Sequence, residues 1–153
     1  MTALYLLNGS RVLLLYKTNG RVVTDTWCAA AGGHLEPEEL TTPEVCVLRE
    51  LKEETGLTPD DLEGLSLRYV TLRFVNGEIR QNYYSFAALR SPDRPLSSTE
   101  GTLRWFEIGE TDRLAMPFSA SFVLRHYFSE GCRTDLLYGG ISDGDGVVFT
   151  PLR

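Results

Sequence analysis

The sequence predicts an α+β fold: a central mixed, largely antiparallel sheet flanked by two helices, arranged as an α/β/α sandwich. Two observations carry this reading. Asn-Gly pairs at Asn8-Gly9, Asn19-Gly20 and Asn76-Gly77 each sit between runs rich in Leu, Val, Tyr or Phe, and such pairs favour the positive-φ turns of tight hairpins. Only two stretches read as helices, residues 43–55 and 119–129.

In chain order, the first Asn-Gly pair joins strands at 3–7 and 11–17. The second leads through 22–24 towards a strand at 27–31. A helix follows, with Thr42 suited to the N-cap, Pro43 to the first helical position and Gly56 to the stop. Its Leu48 and Leu51 face a covering sheet. The third pair joins long strands at 65–75 and 78–89. A polar loop at 91–99, broken by Pro92 and Pro95, precedes a strand at 102–108 that holds Trp105 and Phe106. The second helix takes its apolar surface from Phe122, Val123, Leu124 and Phe128. Segments 134–140 and 147–150 close the chain as a hairpin around the acidic turn 142–146.

At 153 residues the chain is long enough for one well-buried core, and residues 1–153 read as a single domain. A net charge of −6 argues against binding nucleic-acid polymers or an anionic membrane. The longest uncharged run, 114–124, is far short of the ~20 residues that span a bilayer. Cys28, Cys46 and Cys132 are scattered and odd in number, with no CxxC. They read as small buried apolar residues of a reducing, cytoplasmic compartment.

The stretch 32–57, GGHLEPEELTTPEVCVLRELKEETGL, carries the chemistry. At 100° per residue, Glu50, Glu53 and Glu54 fall within roughly 100° on one helix face. By charge pattern alone this suits a solvated face with i, i+4 pairs. Three crowded carboxylates repel one another unless cations or protons intervene. Beside a glycine turn they suit hard cations such as Mg²⁺ or Mn²⁺. His34 is the sole imidazole nearby, which disfavours zinc.

The order of residues is more specific than the charge. Arg49-Glu50-Leu51-Lys52-Glu53-Glu54-Thr55-Gly56-Leu57 resembles the second half of the Nudix box, R-E-U-x-E-E-x-G-U with U aliphatic. Gly33, five residues and Glu39 resemble its first half, G-x5-E. Nine residues separate Glu39 from Arg49, two more than is usual, and the usual spacing lands on uncharged Thr41. The extra residues fall in the loop at 40–42, so Glu39 is the first candidate partner of Arg49, with Glu36 or Glu38 as substitutes.

The resemblance implies a Nudix-type sandwich that uses Mg²⁺ (Mn²⁺ as substitute) to cleave a nucleoside diphosphate linked to some other group. It implies that Glu50, Glu53 and Glu54 hold the metal, with Glu50 or a neighbour such as Glu53 as general base. Arg49 orients the cluster and pairs with Glu39. The Gly32 carbonyl supplies a backbone ligand. Glu100, five residues before Trp105, supplies a further carboxylate. Lys17 occupies the place of a phosphate contact, and His34 stands where a lysine often follows the two glycines.

Outside the box, EGTLRWFEI and the closing segment resemble MutT/MutX-type nucleoside triphosphate pyrophosphohydrolases. This implies a small nucleotide substrate, with an oxidised form such as 8-oxo-dGTP among the candidates, and a monomer or homodimer. Ser119-Ala120 stand where some relatives carry a base-reading acidic pair, a departure that weakens the oxidised-purine assignment. Tyr83, Tyr84, Phe86 and Trp105 could stack on a base, but aromatics in strands are core residues more often than not. Two other readings stay open: a hydrolase of ADP-ribose or another nucleoside-diphosphate derivative, and a catalytically silent nucleotide-binding module.

Overall fold

The computed structural model describes residues 1–17 and 25–152. The predicted turn at Asn19-Gly20 and strand at 22–24 lie outside the described residues. The strands are β1 (Thr2–Asn8), β2 (Arg11–Lys17), β3 (Thr26–Ala29), β4 (Leu62–Val75), β5 (Glu78–Leu89), β6 (Gly101–Glu107), β7 (Tyr138–Ser142) and β8 (Val147–Pro151). The helices are α1 (Pro43–Thr55) and α2 (Phe118–Ser129). The sheet runs β3-β2-β1-β5-β4-β7-β8, with β6 on the other side of β2. β1–β5 and β4–β7 are parallel and the other pairs antiparallel. The sheet is therefore mixed and largely antiparallel, as the sequence predicts.

β1 and β2 are apolar on both faces because both faces are covered. Leu4, Leu6, Leu13, Val47, Leu51 and Leu57 pack together on the α1 side. Tyr5, Val12, Leu14, Tyr69, Phe86 and Tyr127 pack together on the α2 side. α1 turns Cys46, Val47 and Leu51 inward. It ends at Gly56, whose φ of 74° lets the amide reach the Lys52 carbonyl at 2.9 Å. Thr42 holds the N-cap position without a side-chain cap bond.

β2 changes neighbours along its length. Arg11, Val12 and Leu13 pair with β1, whereas Leu14 to Lys17 pair with β3. The free start of β1 instead bonds the chain leaving β3: Leu4 N donates to the Ala31 carbonyl and Thr2 N to the Gly33 carbonyl, each at 2.8 Å. The Gly32-Gly33 turn is thus fixed where the strands part.

Several sequence-based boundaries shift. β3 ends at Ala29 because Ala30 and Ala31 have moved to β1. β4 begins at Leu62, with register shifts before Tyr69. The strand expected at 134–140 starts only at Tyr138, because the Arg68 guanidinium occupies the carbonyls of Gly131, Thr134 and Leu136. Cys46 is buried, Cys28 half-buried and Cys132 exposed, so burial does not hold for all three; none forms a disulfide. No described helix is long and apolar enough to cross a membrane.

Candidate active site

Arg49 is the hub of the acidic helix. Its Nε and Nη2 donate to Glu39 Oε1 and Oε2 at 2.8 and 2.9 Å, a two-point fork. Nη1 donates to Glu50 at 2.9 Å and to Glu53 at 3.3 Å, and Nη2 to the His34 carbonyl at 3.2 Å. Four groups from loop and helix share one guanidinium, whose pKa is raised above its usual value by Glu39 first and then Glu50.

Glu39 reaches Arg49 despite the lengthened loop because Pro37–Glu39 forms a 3-10 turn capped by Glu36. The turn directs Glu39 inward, where its Oε2 also accepts the Glu36 amide at 2.9 Å. The bonds from Arg49 and from that amide lower its pKa to about 2. Of the substitutes, Glu36 stands 4.0 Å from Arg49 Nε and Glu38 is exposed.

Glu50 lies against the glycine turn so closely that a Cβ on Gly33 would sit 2.2 Å from its Oε1. Glu54 Oε2 accepts the Gly32 amide at 3.2 Å. Burial, and then the charges of Glu50 and Glu100, raise the Glu54 pKa to about 7 despite that bond. Glu100 comes from the turn before β6. The Thr99 amide binds the Glu54 backbone carbonyl at 2.9 Å, anchoring this turn to the end of α1. Lys17 faces the same corner, 3.8 Å from Glu100.

The predicted site residues divide accordingly. Glu50, Glu54, Glu100, Lys17 and the Gly32-Gly33 turn meet in one corner, while Glu39, Glu53 and the His34 carbonyl gather on Arg49. The His34 side chain is exposed. Among the described residues no three acidic, histidine or cysteine side chains converge on one point: Glu50 is drawn towards Arg49 and Glu54 towards the Gly32 amide. The available donors are oxygens, the set a hard divalent cation takes.

Tyr84 and Phe86 are core residues, Phe86 stacked on Tyr127 at 3.8 Å, so neither is free to stack on a base. Trp105 is half-buried against the α1-side core. Thr2 was missed from the sequence: its hydroxyl lies 3.4 Å from the Gly33 amide and 3.3 Å from Cys46 Sγ, tying the turn to α1. A threonine at the start of a strand carries no sequence signal for that contact.

A sheet that clamps an Arg-anchored acidic helix beneath a glycine turn, with the box motif along it, defines a hydrolase of phosphorus-containing acid anhydrides. The chain belongs to the NUDIX family: the family model described as NUDIX domain matches residues 1–126. Among solved structures, a MutT protein from Bacillus halodurans superposes with a TM-score of 0.66 at 23% identity, over 99% of this chain and 95% of that one. A C. elegans Ap4A hydrolase gives 0.63 at 19%, over 87% and 96%. The E. coli dihydroneopterin triphosphate pyrophosphohydrolase gives 0.63 at 19%, over 82% and 90%. Comparison with curated proteins finds no significant match.

Proposed function

We propose that this protein is a Mg²⁺-dependent pyrophosphohydrolase that cleaves a nucleoside or deoxynucleoside triphosphate to the monophosphate and pyrophosphate. The carrying observation is Glu54: half-buried, beside Glu50 and Glu100, its pKa raised to about 7. Arg49 pairs with Glu50 and Lys17 with Glu100, but Glu54 has no ion-pair partner among the described residues, and a carboxylate so placed beside two others favours binding a cation. A bound divalent ion, Mg²⁺ or in its place Mn²⁺, supplies charge neutralisation for the phosphates and acidifies a water.

Glu50, Glu54, Glu100 and the Gly32 carbonyl are the proposed ligands, with Glu53 completing the set from the exposed side of α1. Arg49 holds Glu50 and Glu53 in place through Nη1, and Glu39 holds Arg49. Glu50, or Glu53 beside it, takes the proton of the attacking water. Lys17, 3.8 Å from Glu100, can turn its ammonium to pair with a phosphate oxygen. His34, exposed at the mouth of the turn, is the second proposed substrate contact.

The choice of a triphosphate rests on the likeness of residues 100–108 and the closing segment to MutT/MutX-type enzymes. Ser119 and Ala120 are buried and bring no carboxylate to a base, which leaves an oxidised purine without an acidic reader. Residues 1–153 form one domain in this reading, since β7 and β8, beyond the family match, join the same sheet. The three free cysteines suit a cytoplasmic location.

Incubation with Mg²⁺ and a panel of triphosphates, ADP-ribose and dinucleoside polyphosphates tests the proposal. Monophosphate plus pyrophosphate from a triphosphate is the expected result. Turnover of ADP-ribose alone would replace the substrate, and tight binding without turnover would make the protein a silent nucleotide-binding module.

A further inference from the structure

The sheet face that carries α1 is covered only in part. α1 packs over β1 and β5, and beyond it the ends of β5, β4, β7 and β8 are bare. Register places their side chains in rows on this face. Gln81, Leu72, Ile141 and Val148 are successive cross-strand neighbours, with the Phe74–Ile79 pair next to them. Leu72 is 41% exposed, Phe74 72%, Ile79 73%, Ile141 64% and Val148 60%. On the other side of the central row lie Tyr83, Val70, Gly139 and Thr150, with Leu152 folded against Gly139. None of these positions carries a charge, whereas Arg73, Arg80 and Glu78 fall on the opposite face.

We propose that this bare face is a homodimer interface, packed against the same face of a second copy about a two-fold axis. Three arguments select a second copy. The five exposed apolar side chains present on the order of 600 Å² per protomer, or about 1,200 Å² for two, which reaches the size of a stable interface. None of these positions carries a basic side chain to hold a nucleic acid or an anionic lipid surface. A chain of net charge −6 repels its own copy, so a self-contact has to be made through an uncharged patch, and this is one.

The geometry suits an isologous contact, in which each patch must complement itself. Two sheets pack face to face about 10 Å apart with their side chains interdigitated. Leu72 and Ile141 lie in the middle of the patch and would sit near the axis. The acidic corner at Glu50 and Glu54 is not part of it.

The test is the mass of the full chain in solution, by light scattering or sedimentation, up to about 100 μM. That is well above the Kd of about 1 μM or tighter seen for interfaces of this class. The expected mass is twice the 17.1 kDa of one chain. Leu72→Lys with Ile141→Lys should give a single chain, weakening association by about 100-fold or more through facing like charges, with an unchanged far-UV spectrum. Phe74→Ser with Ile79→Ser, at exposed positions near the hairpin tip, should weaken it by about 10-fold and decides the matter if the lysine pair fails to fold. A wild-type chain that stays at 17.1 kDa throughout overturns the proposal, whatever else it binds. So does a dimer that survives both pairs of substitutions.

Discussion

Glu39 and Arg49 meet in a two-point fork at 2.8 and 2.9 Å, across a loop two residues longer than the usual box. The pair fixes more than its own two side chains, because the same guanidinium holds Glu50 and Glu53. Glu39→Gln keeps the shape and removes the charge. Partners that orient proposed metal ligands typically contribute 10–100-fold, so kcat/KM should fall by about that range. An Mg²⁺ titration of rate locates the loss: weaker metal dependence is expected, with the fold intact by circular dichroism.

The same pair makes the fold acid-sensitive. Glu39 titrates at about 2 in the folded chain, against about 4.3 when unfolded. The depressed value contributes stability that is fully present above pH ~4.3 and is lost as pH falls through ~2. Unfolding midpoints in urea between these limits should fall with pH in the wild type and less steeply in Glu39→Gln.

Glu54 has the opposite sign. Its folded pKa of about 7 lies above the unfolded ~4.3, so the folded state keeps a proton that the unfolded state has released. The metal-free protein should lose stability as pH rises from ~4.3 to ~7. An ion that binds the carboxylate expels this proton, so Mg²⁺ affinity should climb across the same window. Calorimetry at pH 6 and pH 8 measures both effects. Glu54→Gln should remove the slope and abolish turnover; unchanged turnover would remove Glu54 from the proposed ligand set.

The two glycines of the turn should separate fold from function. A Cβ on Gly32 would lie 2.2 Å from the Thr2 carbonyl oxygen, at a φ of 149° that side chains rarely adopt. Gly32→Ala must move backbone and should cost about 1–3 kcal/mol of stability. At Gly33 the obstacle is the Glu50 carboxylate, which can swing away. Gly33→Ala should therefore melt near the wild type yet turn over at least about 10-fold more slowly.

The acidic helix is legible in the sequence because its cap glycine, its apolar side and its carboxylates are all local patterns. The hairpins at Asn8-Gly9 and Asn76-Gly77 are legible for the same reason. The partner of Arg49 is legible in part: the motif ranks Glu39 first, and the fork agrees. The spacing leaves Glu36 and Glu38 as substitutes, because the choice depends on how the loop folds into a 3-10 turn before the helix. Tyr84 and Phe86 are core residues, the commoner role of strand aromatics, but alternation along a strand does not say which face α2 will cover. Thr2 and Arg68 act through contacts 31 and more residues away, which no spacing records.

Arg68 shows what such a contact holds together. It is 7% exposed, and it faces carbonyls: Leu136 at 3.1 Å, Gly131 at 2.8 Å and Thr134 at 2.5 Å. Its guanidinium also lies 5.6 Å from the Tyr127 ring centroid. The side chain therefore fastens the segment between α2 and β7, and with it the strands that extend the sheet past β4. Arg68→Met keeps much of the buried stem but strips the Leu136 and Thr134 carbonyls of their donor, at about 1 kcal/mol each, while Gly131 keeps the Thr134 amide. A loss of about 2 kcal/mol is expected in urea unfolding. Arg68→Lys should recover only part of it, because a single ammonium lacks the planar fork that reaches all three carbonyls. Mg²⁺ binding should be unchanged in both variants, since none of these contacts involves the Glu50–Glu54 corner. A parallel loss of metal binding would show that the C-terminal strands and the acidic corner are coupled.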